Sequence, residues 1–279
     1  MSADNALITL LTEKLRNNVL VLPTLPEIAV RVRQAADDPD INLHAMAEVI
    51  SLDPALAARM LKVANSAFLG RSIKVSTLNQ AVTRIGLSQV KNIATAMALE
   101  QLFVSQHPQV VEQMKELWRD TIEITCIAMA CLKLYQQQHK HTPLNMDTLT
   151  LAALVYQIGA LPILTEAEKY PAVFAEKAYL RHAIRDLAPN IGMVILQSWS
   201  FADMFIAVVR DWAGLPMAEE PCYTDFVRIA TISRQQYPLR SNERQLLEKY
   251  LRLGLIPKHD FMQDPQLQQL YQDAKTMFM

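Results

Sequence analysis

The sequence predicts an all-α fold, and three observations support this prediction. Apolar residues recur at helical spacing in most segments, helix-start signals are frequent, and no alternating apolar run is joined to hairpin turn residues. Glycine is scarce, with 6 in 279 residues, which disfavours a turn-dense β fold. Hydrophobic residues make up 51% of the chain and charged residues 20%, a globular composition with material for a large core.

The N-terminal third predicts short helices that are separated by recognisable caps. The first helix is expected over residues 4–17. Gly86 should end one of the later helices, because glycine is favoured just past a helix C-terminus. The predicted N-terminal caps are Thr24 with Glu27, Asn42, Asp53, Thr77 with Gln80, and Ser88.

The rest of the chain predicts a helical body. A long helix should run from Pro108 to about Gln138, and a T-x-x-E cap is expected at Thr165–Glu168. Further helices are predicted at about 147–158, 171–187, 190–199, 202–212, 222–236, 242–253 and 265–276. The expected division is an N-terminal helical subdomain (1–104), a body (105–220) and C-terminal helices packed on the body (221–279).

Charge, cysteines and hydropathy narrow the functional classes. A formal net charge of −1 gives no whole-protein field that would attract nucleic acid or an anionic membrane. Cys126, Cys131 and Cys222 form no paired framework, so free thiols in a reducing compartment are expected. The N-terminus lacks a signal-peptide pattern, and no uninterrupted apolar run is long enough to predict a membrane span. We predict a cytoplasmic protein without a membrane partner.

Residue spacing alone predicts no catalytic or cofactor site. None of the 6 histidines forms an HExxH pair, the cysteines lack zinc spacing, and neither a Walker loop nor a GxSxG elbow is present. Asp120 and Glu123 share one face of the long helix, where we expect a surface pair. His259-Asp260 stands in a connector with no second histidine nearby. No metal or other cofactor is predicted.

Residues 77–98 read helix–glycine–helix, which could form a helix-turn-helix. An ordinary helix pair is favoured, because the second helix offers only Gln89, Lys91 and Asn92 for contacts with DNA. Nucleic-acid binding is therefore the weakest functional hypothesis.

Several segments of the N-terminal half resemble the HDOD domain, a bacterial signalling module related to the HD and HD-GYP metal-dependent phosphohydrolases. The matching segments are, in order, LPTLPEIAVRV, ISLDPALAARMLKVANSAFLG and STLNQAVTRIGLSQVKNIA. A weaker resemblance continues through LWRDTIEITCIAMA, LAALVYQIGALPIL and IGMVILQSWSFADMFIAVVRDW, so that roughly residues 20–215 are covered. The resemblance implies an HD-like multi-helical body fused to an N-terminal helical subdomain.

The resemblance also implies that the metal centre of the HD enzymes is lost. Where the catalytic relatives carry a histidine on the long helix, this chain has Asp120. Where they carry a His-Asp pair before Ile-Gly, it has Tyr156 and Gln157. Because such metal ions need imidazole and carboxylate ligands that converge on the ion, we expect no metal-activated water and no hydrolysis.

The leading hypothesis is a non-catalytic signal-transduction module that binds a signalling protein or a small ligand. A nucleotide is one candidate ligand, and homo-oligomerisation is left open. The residues proposed for the interaction, expected at the surface, are Asp53, Arg59, Asn65 and Ser66. Helix capping competes with this role and is the stronger interpretation for three of them.

The alternative is a divergent HD-type metal-dependent phosphohydrolase of nucleotides or cyclic dinucleotides. It would have to draw its metal ligands from Asp120, Glu123, Asp211 or similar groups, because the His-Asp pair is missing.

Overall fold

The computed structural model describes residues 3–69, 73–170, 176–214 and 218–278, and it confirms the all-α prediction. The N-terminal helices are α1 (Ala3–Arg16), α2 (Glu27–Ala36), α3 (Leu43–Ser51), α4 (Pro54–Ala64), α5 (Leu78–Ile85) and α6 (Leu87–Ala98). The later helices are α7 (Pro108–Gln138), α8 (Met146–Val155), α9 (Ala160–Glu168), α10 (Lys177–Ser198), α11 (Asp203–Asp211), α12 (Tyr223–Ser233), α13 (Glu243–Arg252) and α14 (Pro265–Lys275).

Three N-terminal helices begin at the caps that the sequence predicted. Asn42 accepts hydrogen bonds from two backbone N–H groups, at 3.0 and 2.9 Å. Asp53 accepts one from the N–H of Leu56 at 3.0 Å. Thr77 and Gln80 form the predicted reciprocal box, with bonds of 3.2 and 3.3 Å. Each cap satisfies donors that the first helical turn leaves unpaired.

The predicted starts at Thr24 and Ser88 are wrong. α2 begins at Glu27, whose carboxylate binds Arg31 on its own helix at 3.1 Å instead of reaching back to a cap. α6 begins directly after Gly86, so Ser88 lies inside the helix. Gly86 has φ of +91°, a backbone conformation that favours glycine, and it both ends α5 and starts α6.

The long helix α7 forms the axis of the body and has the predicted limits, Pro108–Gln138. It packs against α8, α9, α12 and α14. Cys126 and Cys131 lie on its fully buried central part, and both are free thiols as predicted. Burial raises the pKa of the Cys131 thiol to about 12, so this group is a neutral part of the core.

The apolar segment Met146–Glu168 lies in the core. It is long and apolar enough to cross a membrane, but 89% of its most apolar window is buried, as in the core helix of a soluble protein. The predicted cap at Thr165 is wrong, because this residue lies inside α9. Glu166 is buried there and forms ion pairs with Lys14 of α1 and with Lys169.

α10 is one helix where the sequence predicted two. Pro189 lies inside it, between the predicted helices at about 171–187 and 190–199, although proline removes a helical hydrogen bond. The flanking turns are buried against α9 and α11, and this packing keeps the helix continuous. Residues 171–175, where the first of the two helices was predicted to begin, lie outside the described residues.

Arg228 of α12 joins the C-terminal helices to the body. Its buried guanidinium donates to the carbonyl oxygens of Asp211, Trp212 (3.3 Å) and Gly214 (2.8 Å). These carbonyls follow α11, and a cation is favoured at the C-terminal end of a helix. α1 packs on α9 and α10, although we assigned it to the N-terminal subdomain. The three-part division of the chain stays a prediction.

Candidate functional site

A cleft of about 850 Å³ opens beside α7, between α10 and the segment that follows α12. Its volume lies in the range of small-molecule sites, which is roughly 300–1,000 Å³. Asp120 and Gln157, two positions where the HD enzymes are expected to carry metal ligands, line this cleft. Trp212 and Tyr237 contribute aromatic rings to its wall.

Asp120 is a half-buried carboxylate on the floor of the cleft. Burial raises its pKa, and the nearby Arg234 and a hydrogen bond from Gln236 oppose this shift without cancelling it. The Nε2 group of Gln236 donates to Oδ2 of Asp120 at 2.9 Å. The expected surface pair of Asp120 and Glu123 is therefore wrong, since Glu123 binds Lys275 of α14 at 2.8 Å.

Tyr156 lies behind the cleft wall and is almost fully buried. Its ring meets Trp212 edge to face, with centroids 5.1 Å apart. Its hydroxyl has no hydrogen-bond partner among the described residues. Burial raises the pKa of the phenol, and the charge of Asp120 adds to the shift. This side chain is therefore a neutral part of the core behind the wall.

The residues at these positions do not fit an HD-type metal centre. They supply one carboxylate, one neutral phenol and one neutral amide, whereas such a centre needs several imidazole and carboxylate ligands. Among the residues that the structure describes, no group of three His, Cys, Asp or Glu side chains is placed to hold a metal ion. We derive no step through a metal.

The backbone around Ile158 and Gly159 is tightly packed. A Cβ atom added to Gly159 would lie 2.0 Å from the carbonyl oxygen of Ala188 and 2.6 Å from the amide nitrogen of Gly192. The turn after α8 thus touches the backbone of α10, and only glycine allows this approach. The Ile158-Gly159 pair therefore has a packing role, which does not depend on metal chemistry.

One side of the cleft carries a cationic stripe, defined by Lys177, Arg181 and Arg185 of α10. They are spaced at i, i+4 and i+8, and therefore follow one face of the helix. All three are exposed, and Arg240 lines the cleft as a fourth cation. Against the two lining carboxylates, Glu116 and Asp120, the four cations leave a formal lining charge of +2.

A family model of the HDOD domain matches residues 22–212. The chain belongs to the HDOD family. This HDOD chain is 40% identical to a protein from Shewanella amazonensis SB2B, provisionally named a metal-dependent phosphohydrolase, whose crystal structure matches with 100% of both chains covered and a TM-score of 0.94. An HDOD domain protein with unknown function from Geobacter sulfurreducens is 17% identical, with 99% of each chain covered and a TM-score of 0.64. At that identity the likeness shows the fold alone.

A curated relative of the HDOD chain is longer. It is an uncharacterized protein of Treponema pallidum (strain Nichols), 24% identical over 225 residues. The match covers 76% of our chain but 41% of that protein, so the HDOD chain spans less than half of its length.

Two of the predicted interaction residues of the HDOD chain, Asp53 and Arg59, hold neighbouring helices together. Beyond its capping role, Asp53 accepts a 3.3 Å hydrogen bond from Gln101. Arg59 donates to the carbonyl of Met97 at 2.9 Å and forms an ion pair with Glu100. Arg59 also lines a smaller cavity of about 250 Å³, where its side chain remains 39% exposed.

Asn65 and Ser66 close the end of α4. The amide of Asn65 makes two hydrogen bonds of 2.8 Å with the backbone of Val75. The Ser66 hydroxyl donates to the carbonyl of Val63 at 2.7 Å, and Ser66 is only 5% exposed. Its expected place at the surface is therefore wrong, because the hydroxyl satisfies a carbonyl of the last helical turn. None of the four interaction candidates lines the cleft, and their role in recognition stays a prediction.

The predicted helix pair at 77–98 does not present a recognition helix. α6 is buried from Ile93 to Ala98 and packs against α2 and α8. Lys91 forms an ion pair with Asp37, and Asn92 donates to Asp147 at 2.8 Å. Two of the three side chains that could have contacted DNA are thus engaged within the protein.

Sequence reasoning missed both the cationic stripe and the C-terminal part of the cleft. The i, i+4, i+8 spacing of the stripe is readable in KAYLRHAIR, but such a pattern is usual on any solvated helix face. Gln235, Gln236 and Arg240 carry no sequence signal, because long-range packing brings them to α7.

Proposed function

We propose that this HDOD chain is a non-catalytic signal-transduction module that acts by binding, and that its cleft is the place where a small ligand is bound. The observation that supports this most is a cleft of about 850 Å³ that has Gln157 in its lining and Tyr156 buried behind its wall, at positions where the HD enzymes are expected to carry metal ligands. Membership of the HDOD family supports the signalling role. A signalling protein as partner and a cytoplasmic location belong to the same proposal.

Hydrolysis by the HD mechanism requires a metal ion that activates water. The cleft offers Asp120 as a single carboxylate at the three ligand positions, and this carboxylate is already bound by Gln236. A phenol with a raised pKa and a carboxamide are poor ligands for such an ion. Binding without turnover is the function that these residues support.

Turnover assays test the proposal directly. Purified protein should show no phosphatase or phosphodiesterase activity with Mn²⁺ or Ni²⁺ above that of an Asp120→Ala variant. Asp120→Ala is the matched control because it removes the only carboxylate at the former ligand positions. Metal-dependent turnover that disappears in this variant would overturn the proposal.

The alternative function is a divergent phosphohydrolase, and the provisional name of the Shewanella amazonensis relative, a metal-dependent phosphohydrolase, favours it. The other ligands that we considered for such an enzyme are engaged elsewhere. Glu123 binds Lys275 on the α14 side of α7, and Asp211 binds the adjacent Arg210 at 2.8 Å. Neither residue lines the cleft. An active enzyme would therefore need a rearranged site.

A further inference from the structure

We infer that the cleft is a phosphate site built from two parts of the chain, the cationic stripe of α10 and the segment 235–240 that follows α12. The inference rests on the proposed function and deepens it by naming the ligand class, a small molecule that carries phosphate groups. The segment 235–240 lies outside residues 22–212, which the family model matches. Because this part of the site lies outside the matched region, membership of the family does not by itself predict the site.

The cationic stripe supplies donors that suit phosphate oxygens. Arginine presents a planar set of N–H groups that can bind two phosphate oxygens at once, and its charge is permanent. Arg181, at the centre of the stripe, has no hydrogen-bond or ion-pair partner among the described residues, whereas Arg185 binds Asp186 at 2.8 Å. A phosphate group would give Arg181 the partner that the protein does not provide.

Glu116 competes with a bound phosphate for Lys177. It forms an ion pair with Glu116, which projects from α7 into the same cleft, with one N–O distance of 2.6 Å. A bound phosphate would either share Lys177 with this carboxylate or displace the carboxylate from Lys177. The pair is half exposed, with side-chain exposures of 51% and 36%, and exposed ion pairs are weak, so a phosphate can displace it.

The segment 235–240, the second part of the site, begins at a turn whose backbone conformation is unfavourable for residues other than glycine. α12 ends in two hydrogen bonds, from the N–H of Gln236 to Thr231 (2.8 Å) and from the N–H of Gln235 to Ile232 (2.9 Å). This Schellman arrangement places Gln235 at φ of +57°, where glycine is the favoured residue. Other helix ends in this protein also lack glycine, so the strain alone marks no site. Gln235 differs because its side chain lines the cleft, next to Gln236 and Arg240.

Isothermal titration of the full chain tests the inference, with tripolyphosphate, ATP and adenosine as probes. Tripolyphosphate and ATP should bind at one equivalent and adenosine should not, and added salt should weaken binding because it screens the exposed cations. Arg181→Gln should weaken both phosphate probes roughly tenfold or more, the effect of one lost charge-assisted hydrogen bond. Arg244→Gln is the matched control, since Arg244 is 91% exposed on α13 and lies outside the cleft.

Three further variants test the roles of Glu116 and Gln235, and the last of them separates binding from folding. Glu116→Gln should tighten tripolyphosphate binding several-fold, because it frees Lys177 and removes a repelling charge. Glu112→Gln, one turn earlier on α7 and outside the cleft, should leave binding unchanged. Gln235→Gly should keep or raise the melting temperature, because glycine suits its φ, and should still weaken binding of the phosphate probes.

The outcomes for this site and for the proposed function are distinguishable. The phosphate site is overturned if the wild-type chain binds neither phosphate probe, if adenosine binds as well as ATP, or if Arg181→Gln and Arg244→Gln weaken binding equally. None of these results touches the claim of a non-catalytic module. Metal-dependent hydrolysis of ATP or tripolyphosphate in the same samples would overturn the proposed function, whatever the binding results are.

Discussion

Gln236 donates a 2.9 Å hydrogen bond to Asp120, and this bond ties the segment after α12 to the floor of the cleft. In the catalytic HD relatives the position of Asp120 is expected to carry a histidine ligand. Here its carboxylate accepts a hydrogen bond from a residue beyond the family match, which ends at residue 212. The carboxylate of Asp120 is thus a structural contact between the body and the C-terminal helices.

The two carboxylates Asp120 and Glu123 should respond to substitution with opposite signs. Burial raises the pKa of Asp120, so its charged form is disfavoured in the folded protein. Asp120→Asn removes that penalty and keeps an acceptor for Gln236, so it should stabilise the protein at neutral pH by on the order of 0.5 kcal/mol. The gain should vanish as the pH falls through the raised folded pKa toward the unfolded value of about 3.9.

Glu123→Gln should destabilise the protein at neutral pH. Burial acts to raise the pKa of Glu123, but hydrogen bonds from Lys275 and Tyr271 outweigh it and the pKa is lowered. The loss of stability should be about 1–2 kcal/mol. This is the usual contribution of a hydrogen bond to a charged group, reduced because Glu123 is partly exposed. It should be present above the unfolded pKa of about 4.3 and disappear as the pH falls through the lowered folded pKa. Urea unfolding of Asp120→Asn and Glu123→Gln across this pH range measures the change in the free energy of unfolding for each variant. Changes of the same sign at neutral pH would refute this prediction.

Tyr156→Phe should leave the free energy of unfolding unchanged or raise it by up to about 1 kcal/mol. Its buried hydroxyl has no partner among the described residues, and an unpaired buried polar group costs stability. Tyr271→Phe is the matched comparison, because that hydroxyl donates to Glu123 and its removal should destabilise the protein. Thermal melts of both variants decide the matter, and a clear loss for Tyr156→Phe would show that its hydroxyl has a partner.

Many features of the fold were predictable from the sequence because their causes are local. Asn42, Asp53 and Thr77 cap helices through bonds to residues two or three positions away, and these predictions are confirmed. The limits of α7 follow from Pro108 and the polar run after Gln138. Where long-range packing outweighs a local signal the prediction failed, as at the proline inside α10.

The cleft could be predicted only in part. The resemblance to HD enzymes directed attention to Asp120 and Gln157, which do line it. The opposite walls depend on which face α10 presents and on where the chain returns after α12. Neither is encoded by a local pattern, so Arg181, Gln235 and Arg240 could not be assigned to the site from the sequence.

Gly159→Ala should be strongly destabilising, by about 3 kcal/mol or more, since an added Cβ would meet the backbone of α10 at 2.0 Å. Gly214→Ala is the control, because a Cβ there meets nothing within 4 Å and no left-handed φ is involved. The midpoint of denaturant unfolding should fall for the first variant and stay near the wild-type value for the second. A mild effect at Gly159 would contradict the close packing of the turn on α10.

Arg228→Met should cost about 3–5 kcal/mol, because it leaves the carbonyls at the end of α11 without their buried cation and removes one buried cation from Asp225, which keeps Lys249 at 3.8 Å. Arg210→Gln removes an exposed ion pair instead and should change stability by under about 1 kcal/mol. Unfolding followed by circular dichroism compares the two. Equal effects would mean that Arg228 does not hold the C-terminal helices to the body.

The metal content of the purified 279-residue chain tests the central claim most directly. Protein produced with added Mn²⁺, Ni²⁺ and Zn²⁺ should carry well under one equivalent of any of them after gel filtration, and Asp120→Ala should not change the amount. The reason is that Asp120, Tyr156 and Gln157 supply one carboxylate and no imidazole at the positions where the HD enzymes are expected to carry metal ligands. One or more equivalents of metal that are lost in Asp120→Ala would contradict the account.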